Sequence, residues 1–257
     1  MRSSDPLTRV FSELNLGEPE AGALRECASL PRTLRPGEGL AHEGEEPYGL
    51  TILVGGVVKA YRELRTGGVQ TVALYIAGDL VDAHALALVR STATVVAVIP
   101  SQVIRISRAR LEPLMTTYPS LVRVLWRTSS REHSMLREWM VGMGRRTAYG
   151  HMAHLMCEMA VRMRRADASG GDSYAFPLTQ TELADAVGLS PVHVNRTLQS
   201  LRTDGLVELK RGTLRIRDWR RLVEAAEFDP AYLELADAGT GDRDEALLFS
   251  LGHPVGL

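Results

Sequence analysis

Two helix starts crowd into one short stretch of this chain, and that spacing restricts its fold more than any other feature. Thr179 followed three residues later by Glu182 is the pattern of a capping box. Ser190 followed by Pro191 marks a second start, with a hydroxyl N-cap and proline at the first helical position. Between them Gly188 can take the left-handed conformation that stops a helix. Leu183, Ala184 and Val187 give the first helix an apolar face, and Val194, Leu198 and Leu201 give the second a buried stripe. Two short helices joined by such a turn make a helix-turn-helix. Residues 206–209 and 213–216 then read as strands around Lys210, Arg211 and Gly212, a hairpin with a basic tip, which is a wing.

The outward side of the second helix offers Val192, His193, Asn195, Arg196 and Gln199. A recognition helix presents its N-terminal residues to base edges in the major groove. Arg196 suits guanine, Asn195 suits adenine and Val192 suits a thymine methyl group. Thr179, Gln180, Thr181 and Ser190 stand at helix N-termini, where hydroxyls, amides and backbone N–H groups bind phosphate. Lys210 and Arg211 supply phosphate contacts from the wing. Charge supports this. Residues 145–222 carry 13 basic and 8 acidic side chains, whereas residues 223–257 carry 1 and 8. A basic segment ahead of an acidic end points to a nucleic-acid face followed by a solvated tail. Plain helical packing is the competing reading of a helix-turn-helix shape. The basic balance, the wing and the exposed polar row together favour double-stranded DNA.

Upstream, residues 34 to about 107 read as β structure. Apolar runs at 50–54, 57–61, 69–76, 94–99 and 103–106 are separated by glycine-rich turns, a pattern that indicates a barrel or sandwich. Residues 111–143 change to a helical period. Leu121, Leu125, Thr128, Met135 and Trp139 recur at spacings of three and four, a coiled-coil seam interrupted at Glu132. Such a helix is too long for a small barrel to cover, so a second copy of the chain is the expected partner. A second helix is expected over 146–165 and a loop over 168–173.

The 257 residues suit two domains, and at 45% hydrophobic and 24% charged they can bury a core. No run approaches the roughly 18 apolar residues of a membrane helix, and the N-terminus lacks a signal-peptide core, so a cytoplasmic protein is expected. Cys27 and Cys157 make no disulfide framework. His151, His154 and Cys157 share one helix face, for which packing is a commoner reason than a metal. Neither a metal nor a cofactor is expected. No nucleophile–base pair or phosphate-cradling glycine loop is evident, so no catalytic residue is assigned and an enzyme is not expected.

These motifs resemble a known family. Thr179-Gln180-Thr181-Glu182-Leu183-Ala184, Val187-Gly188-Leu189-Ser190, Val194-Asn195-Arg196-Thr197-Leu198 and Gly205-Leu206-Val207 look like the C-terminal domain of CRP/FNR-type bacterial transcription regulators. Pro36-Gly37, Glu43-Gly44, Tyr48, Gly56-Val57-Val58 and Ala77-Gly78-Asp79-Leu80 are similar to that family's cyclic-nucleotide-binding-like β-roll, and 121–143 to its dimerisation helix. The resemblance covers roughly residues 25–222. It implies an α+β protein: a jelly-roll-like β-barrel sensor over 1–110, a dimerisation helix over 111–143, a winged helix-turn-helix over 144–222 and an acidic tail over 223–257. It further implies a homodimer on a palindromic operator, RNA polymerase as a partner and often a small effector.

The effector loop departs from the cyclic-AMP-responsive members. Arg90 and Ser91 match the pair that holds the cyclic phosphate, but Ala83 stands where a glutamate would bind the ribose. Gly78, Asp79, Asp82 and His84 complete the loop, and Leu136 and Arg137 fall where the long helix would meet the base. Arg90 is expected either to bind an anion or to pair with Asp79 or Asp82. The expectation is therefore an effector other than cyclic AMP, or none. Two cysteines are too few for the family's iron–sulfur members, and His42 or His84 as a haem ligand has no supporting pattern. The rival from another class is a β-barrel ligand sensor whose helical C-terminal part is a protein-interaction module.

Overall fold

The computed structural model describes residues 6–166 and 173–234, so the acidic stretch 235–257 and all but Ser173 of the expected loop lie outside it. The chain forms two compact units that divide between Glu132 and His133.

In the first unit, α1 (Pro6–Glu13) and α2 (Glu18–Cys27) precede a β-roll. The roll has β1 (Arg32–Leu34), β2 (Gly39–Ala41), β3 (Gly49–Gly55), β4 (Val57–Glu63), β5 (Val69–Ile76), β6 (Leu80–Val81), β7 (Thr94–Ala97) and β8 (Ser101–Ser107). A 3-10 turn, Ala83–Ala87, follows β6, and α3 (Arg108–Thr117) and α4 (Pro119–Arg145) follow β8. The strands form two antiparallel four-stranded sheets, in the orders β1-β8-β3-β6 and β2-β7-β4-β5. The architecture is an open roll of two sheets rather than a closed barrel.

Period-two alternation assigns each strand residue to one of two cores. Leu53, Val81 and Val103 from one sheet meet Val58, Ala60, Tyr75 and Val95 from the other between the sheets. Their neighbours Ile52, Leu80 and Ile104 point the opposite way, onto Phe11, Leu24, Leu111 and Leu121 of the covering helices. Gly56 joins β3 to β4 at φ +91°, and an added Cβ would strike Ser101, whose hydroxyl accepts from Val57 N–H at 3.1 Å and donates to its carbonyl at 3.0 Å. Only glycine fits this turn.

The second unit continues α4 and adds α5 (Ala148–Ala166), β9 (Ser173–Ala175), α6 (Gln180–Val187), α7 (Pro191–Thr203), β10 (Val207–Lys210), β11 (Thr213–Ile216) and α8 (Trp219–Ala226). Gly142 and Gly144 sit inside α4 rather than ending it. Gly142 is needed because α5 crosses there, and a Cβ would meet the His151 ring. Residues 223–234 are no solvated tail. Asp218 caps α8, Asp229 caps a further 3-10 turn at Pro230–Leu233, and Leu222, Phe228 and Leu233 are buried. Among the described residues no helix is long and apolar enough to cross a membrane.

A polar network fastens this unit. Glu158, fully buried, accepts from Trp139 Nε1 at 2.9 Å, Tyr232 Oη at 3.0 Å and Arg162 Nη1 at 3.1 Å. His154 shares Tyr232 Oη at 3.1 Å and stacks on its ring. Among the described residues no group of His, Cys, Asp and Glu could hold a metal. His151, His154 and Cys157 are instead packed inside the domain. Burial first, and then the Arg146 guanidinium, lowers both histidines from 6.5 to about 4. The folded state thus keeps them neutral while the unfolded chain protonates below about pH 6.5. Their stabilisation is fully present above that pH and is lost as pH falls toward 4. Each contributes at most on the order of 3 kcal/mol. Urea melts at pH 7 and pH 5 should show the loss for this unit, reduced in His151→Gln and His154→Gln.

Candidate nucleic-acid interface

Backbone chemistry sets the interface. Thr179 Oγ1 accepts from Glu182 N at 3.2 Å, and Glu182 Oε2 accepts from Thr179 N at 2.9 Å, so both arms of the capping box are made. Gly188 closes α6 at φ +67°. Ser190 Oγ accepts from His193 N at 3.3 Å and starts α7. Val194, Leu198 and Leu201 are buried, and α7 packs against α5 and α6.

With that stripe inside, Val192, His193, Arg196 and Gln199 are exposed and Asn195 is half-buried. Val192 shows 71% of its surface, high for an apolar side chain held by no partner in its own fold. Together with Gln180 and Pro191, four of these residues (Val192, Asn195, Arg196 and Gln199) line an open groove of about 410 Å³. Asn195 Nδ2 donates to Gln180 Oε1 at 3.3 Å, tying the start of α6 to the exposed face of α7. Thr179, Gln180, Thr181 and Ser190 are exposed beside it.

In the wing, Arg211 and Gly212 lie at φ +49° and +73°. Lys210 pairs with Thr213 across them, so the loop has two residues with the positive φ values of a type I′ turn. Its two cations are not equivalent. Glu208 forms ion pairs with Lys210 and Arg217, and Lys210 and then Arg217 hold the Glu208 carboxyl down at about 2. Lys210 therefore presents a partly compensated charge, while Arg211 makes no ion pair among the described residues.

The residues expected to line an effector site are only partly together. Ala83 is buried and brings no acceptor. Arg90 Nη1 donates to the Gly44 carbonyl at 2.7 Å, and Ser91 bonds the same loop through its backbone while its buried hydroxyl has no partner among the described residues. Gly78 donates to Leu53, and Asp79 Oδ2 accepts from Ile76 N at 2.9 Å. Asp82 and His84 form a pair at 3.4 Å. Leu136 and Arg137 are exposed. The helix residue that reaches the Asp82–His84 turn is Glu132, one helical turn earlier than an ungapped reading suggests.

The residues expected on the α4 seam are not all open. Leu121, Thr128 and Trp139 are buried by the chain itself, Leu121 in the core under the roll and Trp139 against Glu158. Leu125 and Met135 are half-buried. The apolar row left open is Val122, Trp126, Leu136, Met140 and Met143, with Trp126 75% exposed.

Residues 31–118 match the cyclic nucleotide-binding domain family, and residues 150–225 match the Crp-like helix-turn-helix domain family. A probable transcriptional activator of Rhizobium leguminosarum bv. viciae is 29% identical over 209 residues, covering 80% of this chain and 83% of its own. The transcriptional activator protein FnrL of Cereibacter sphaeroides is 27% identical over 203 residues, covering 77% and 81%. The structure of FixK2 from Bradyrhizobium japonicum superposes with a TM-score of 0.70 at 25% identity, covering 77% of this chain and 96% of that one.

Arg196→Ala should weaken specific DNA binding by roughly 1–3 kcal/mol and relax selectivity at one base pair per half-site. Arg211→Ala should lower affinity equally on all sequences and reduce the salt slope, and Lys210→Ala should do so less. Fluorescence anisotropy on operator and scrambled duplexes, across a salt series, checks both.

Proposed function

Because the chain belongs to the CRP/FNR-type DNA-binding transcription regulators and is not an enzyme, we propose that it works as a homodimer on a palindromic operator. The observation that carries this reading is the exposed row Val192, His193, Asn195, Arg196 and Gln199 on a helix whose opposite stripe is buried. Arg196 and Asn195 read bases, Val192 rests on a thymine methyl group, and Thr179, Gln180, Thr181, Ser190, Lys210 and Arg211 hold phosphates. RNA polymerase is a further partner on family grounds.

Dimerisation runs through the open face of α4. Val122, Trp126, Leu136, Met140 and Met143 recur at helical spacing, and His133 falls on the same face. An aromatic side chain buries roughly 150–250 Å² when covered, so paired Trp126 residues alone offer a large gain. Trp126→Glu with Met140→Glu should give monomers of unchanged helix content that no longer bind operator. Light scattering that still reports a dimer would place the interface elsewhere.

The β-roll responds to an effector other than cyclic AMP, or to none. Ala83 removes the ribose acceptor, which costs roughly 1–3 kcal/mol in unpaired hydroxyls. Arg90 already donates to Gly44, and the α4 side chain that reaches the loop is the Glu132 carboxylate. Calorimetry should find no micromolar cyclic-AMP binding, and Ala83→Glu should raise the affinity. Tight binding abolished by Arg90→Ala would overturn this reading.

A further inference from the structure

One cluster in the first unit is used by neither DNA binding nor dimerisation. His84, at the 3-10 turn after β6, directs both ring nitrogens at carboxylates. Nε2 lies 3.4 Å from Asp82 Oδ1 on the same turn, and Nδ1 lies 3.5 Å from Glu132 Oε2 on α4. Asp82 itself is held in the left-handed region at φ +53°. Glu132 Oε1 is shut off from solvent and has no hydrogen-bond partner among the described residues. Tyr75 on β5 is buried, and burial first, then the Glu132 and Asp82 carboxylates, push its hydroxyl ionisation upward. Around this trio Arg131 on α4 pairs with Asp79 at 3.5 Å, and Arg108 on α3 donates to the Leu86 and Leu88 carbonyls at 3.0 and 3.2 Å.

The geometry is best met by a protonated ring. A neutral imidazole has one N–H and one lone pair, so it can donate to only one of two carboxylates. The second contact would set a nitrogen lone pair against carboxylate oxygen in a poorly solvated place. With the ring protonated, both nitrogens donate and the two negative charges share one positive charge.

We propose that Asp82, His84 and Glu132 form a proton-operated latch that fastens α4 to the 3-10 turn of its own β-roll, closed while His84 is protonated and loosened when the proton leaves.

The titration of His84 points the same way. The hydrogen bond to Glu132 raises His84 above 6.5, against the opposing effect of burial. Burial raises both Asp82 and Glu132, with His84 opposing in each case. His84 thus holds its proton more tightly folded than unfolded, so its contribution is present below the unfolded value and is lost as pH rises through the folded one, whereas burial works against the ionised carboxylates that the closed latch uses. For His84 that window opens above pH 6.5, the reverse of the loss on acidification expected from His151 and His154. Sharing no residue with the DNA face, the latch stands or falls apart from operator binding.

The test is amide hydrogen exchange of the full chain at pH 6 and pH 8, corrected for intrinsic rates and read over residues 126–134 and 83–88. Wild type should lose protection several-fold at pH 8. His84→Ala, a half-exposed site that should tolerate the change, should show the low value at both pH values. Glu132→Gln supplies an amide N–H to Nδ1 without a titrating proton, so it should keep high protection at both. Equal wild-type protection at the two pH values, or a wild-type pH response surviving in either variant, overturns the latch. A His84 ring titration by NMR with its midpoint at or below 6.5 overturns it as well.

Discussion

The burial of Val194, Leu198 and Leu201 along one side of α7 is the constraint on which the DNA-facing surface depends. A helix of this length has no stability of its own in water and survives by packing one stripe. Once α5 and α6 take that stripe, rotation about the axis is fixed, and Val192, Arg196 and Gln199 have nowhere to go but outward. The capping box at Thr179, the left-handed Gly188 and the Ser190 cap set where each helix begins and ends. The exposed row is thus held in place by ordinary packing of the buried stripe.

The same logic applies twice to α4, with opposite results on its two sides. One side buries Leu121, Thr128 and Trp139, and the other leaves Trp126 and Met140 open. Glu132, set among the inward positions, meets His84 on the β-roll turn. A carboxylate in that stripe interrupts an apolar seam because its partner is polar.

Much of this was legible in the chain itself. Caps, glycine stops and hairpin turns are local chemistry, so Thr179, Gly188, Ser190 and the Arg211–Gly212 turn behave as their sequence requires. The alternation of the strands similarly located the β-roll, though it does not distinguish an open pair of sheets from a closed barrel. Phase on α4 was not legible. The period is visible in the sequence, but Leu121 and Val122 both begin rows at spacings of three and four, and only tertiary packing decides which row is inside. The end of the DNA-binding unit was hidden by its charge. Asp229 and Pro230 are a cap signal like that at Ser190, yet the acidic run around them reads as a tail.

On the proposed function, two copies of α7 read one symmetric site. Hydroxyl-radical footprinting of the full-length protein on DNA upstream of its own gene tests it most directly. Two equivalent protected patches are expected, their centres about 34 Å apart along the duplex, and both lost in Arg196→Ala. A single unpaired patch, or protection that follows charge without regard to sequence, would contradict it.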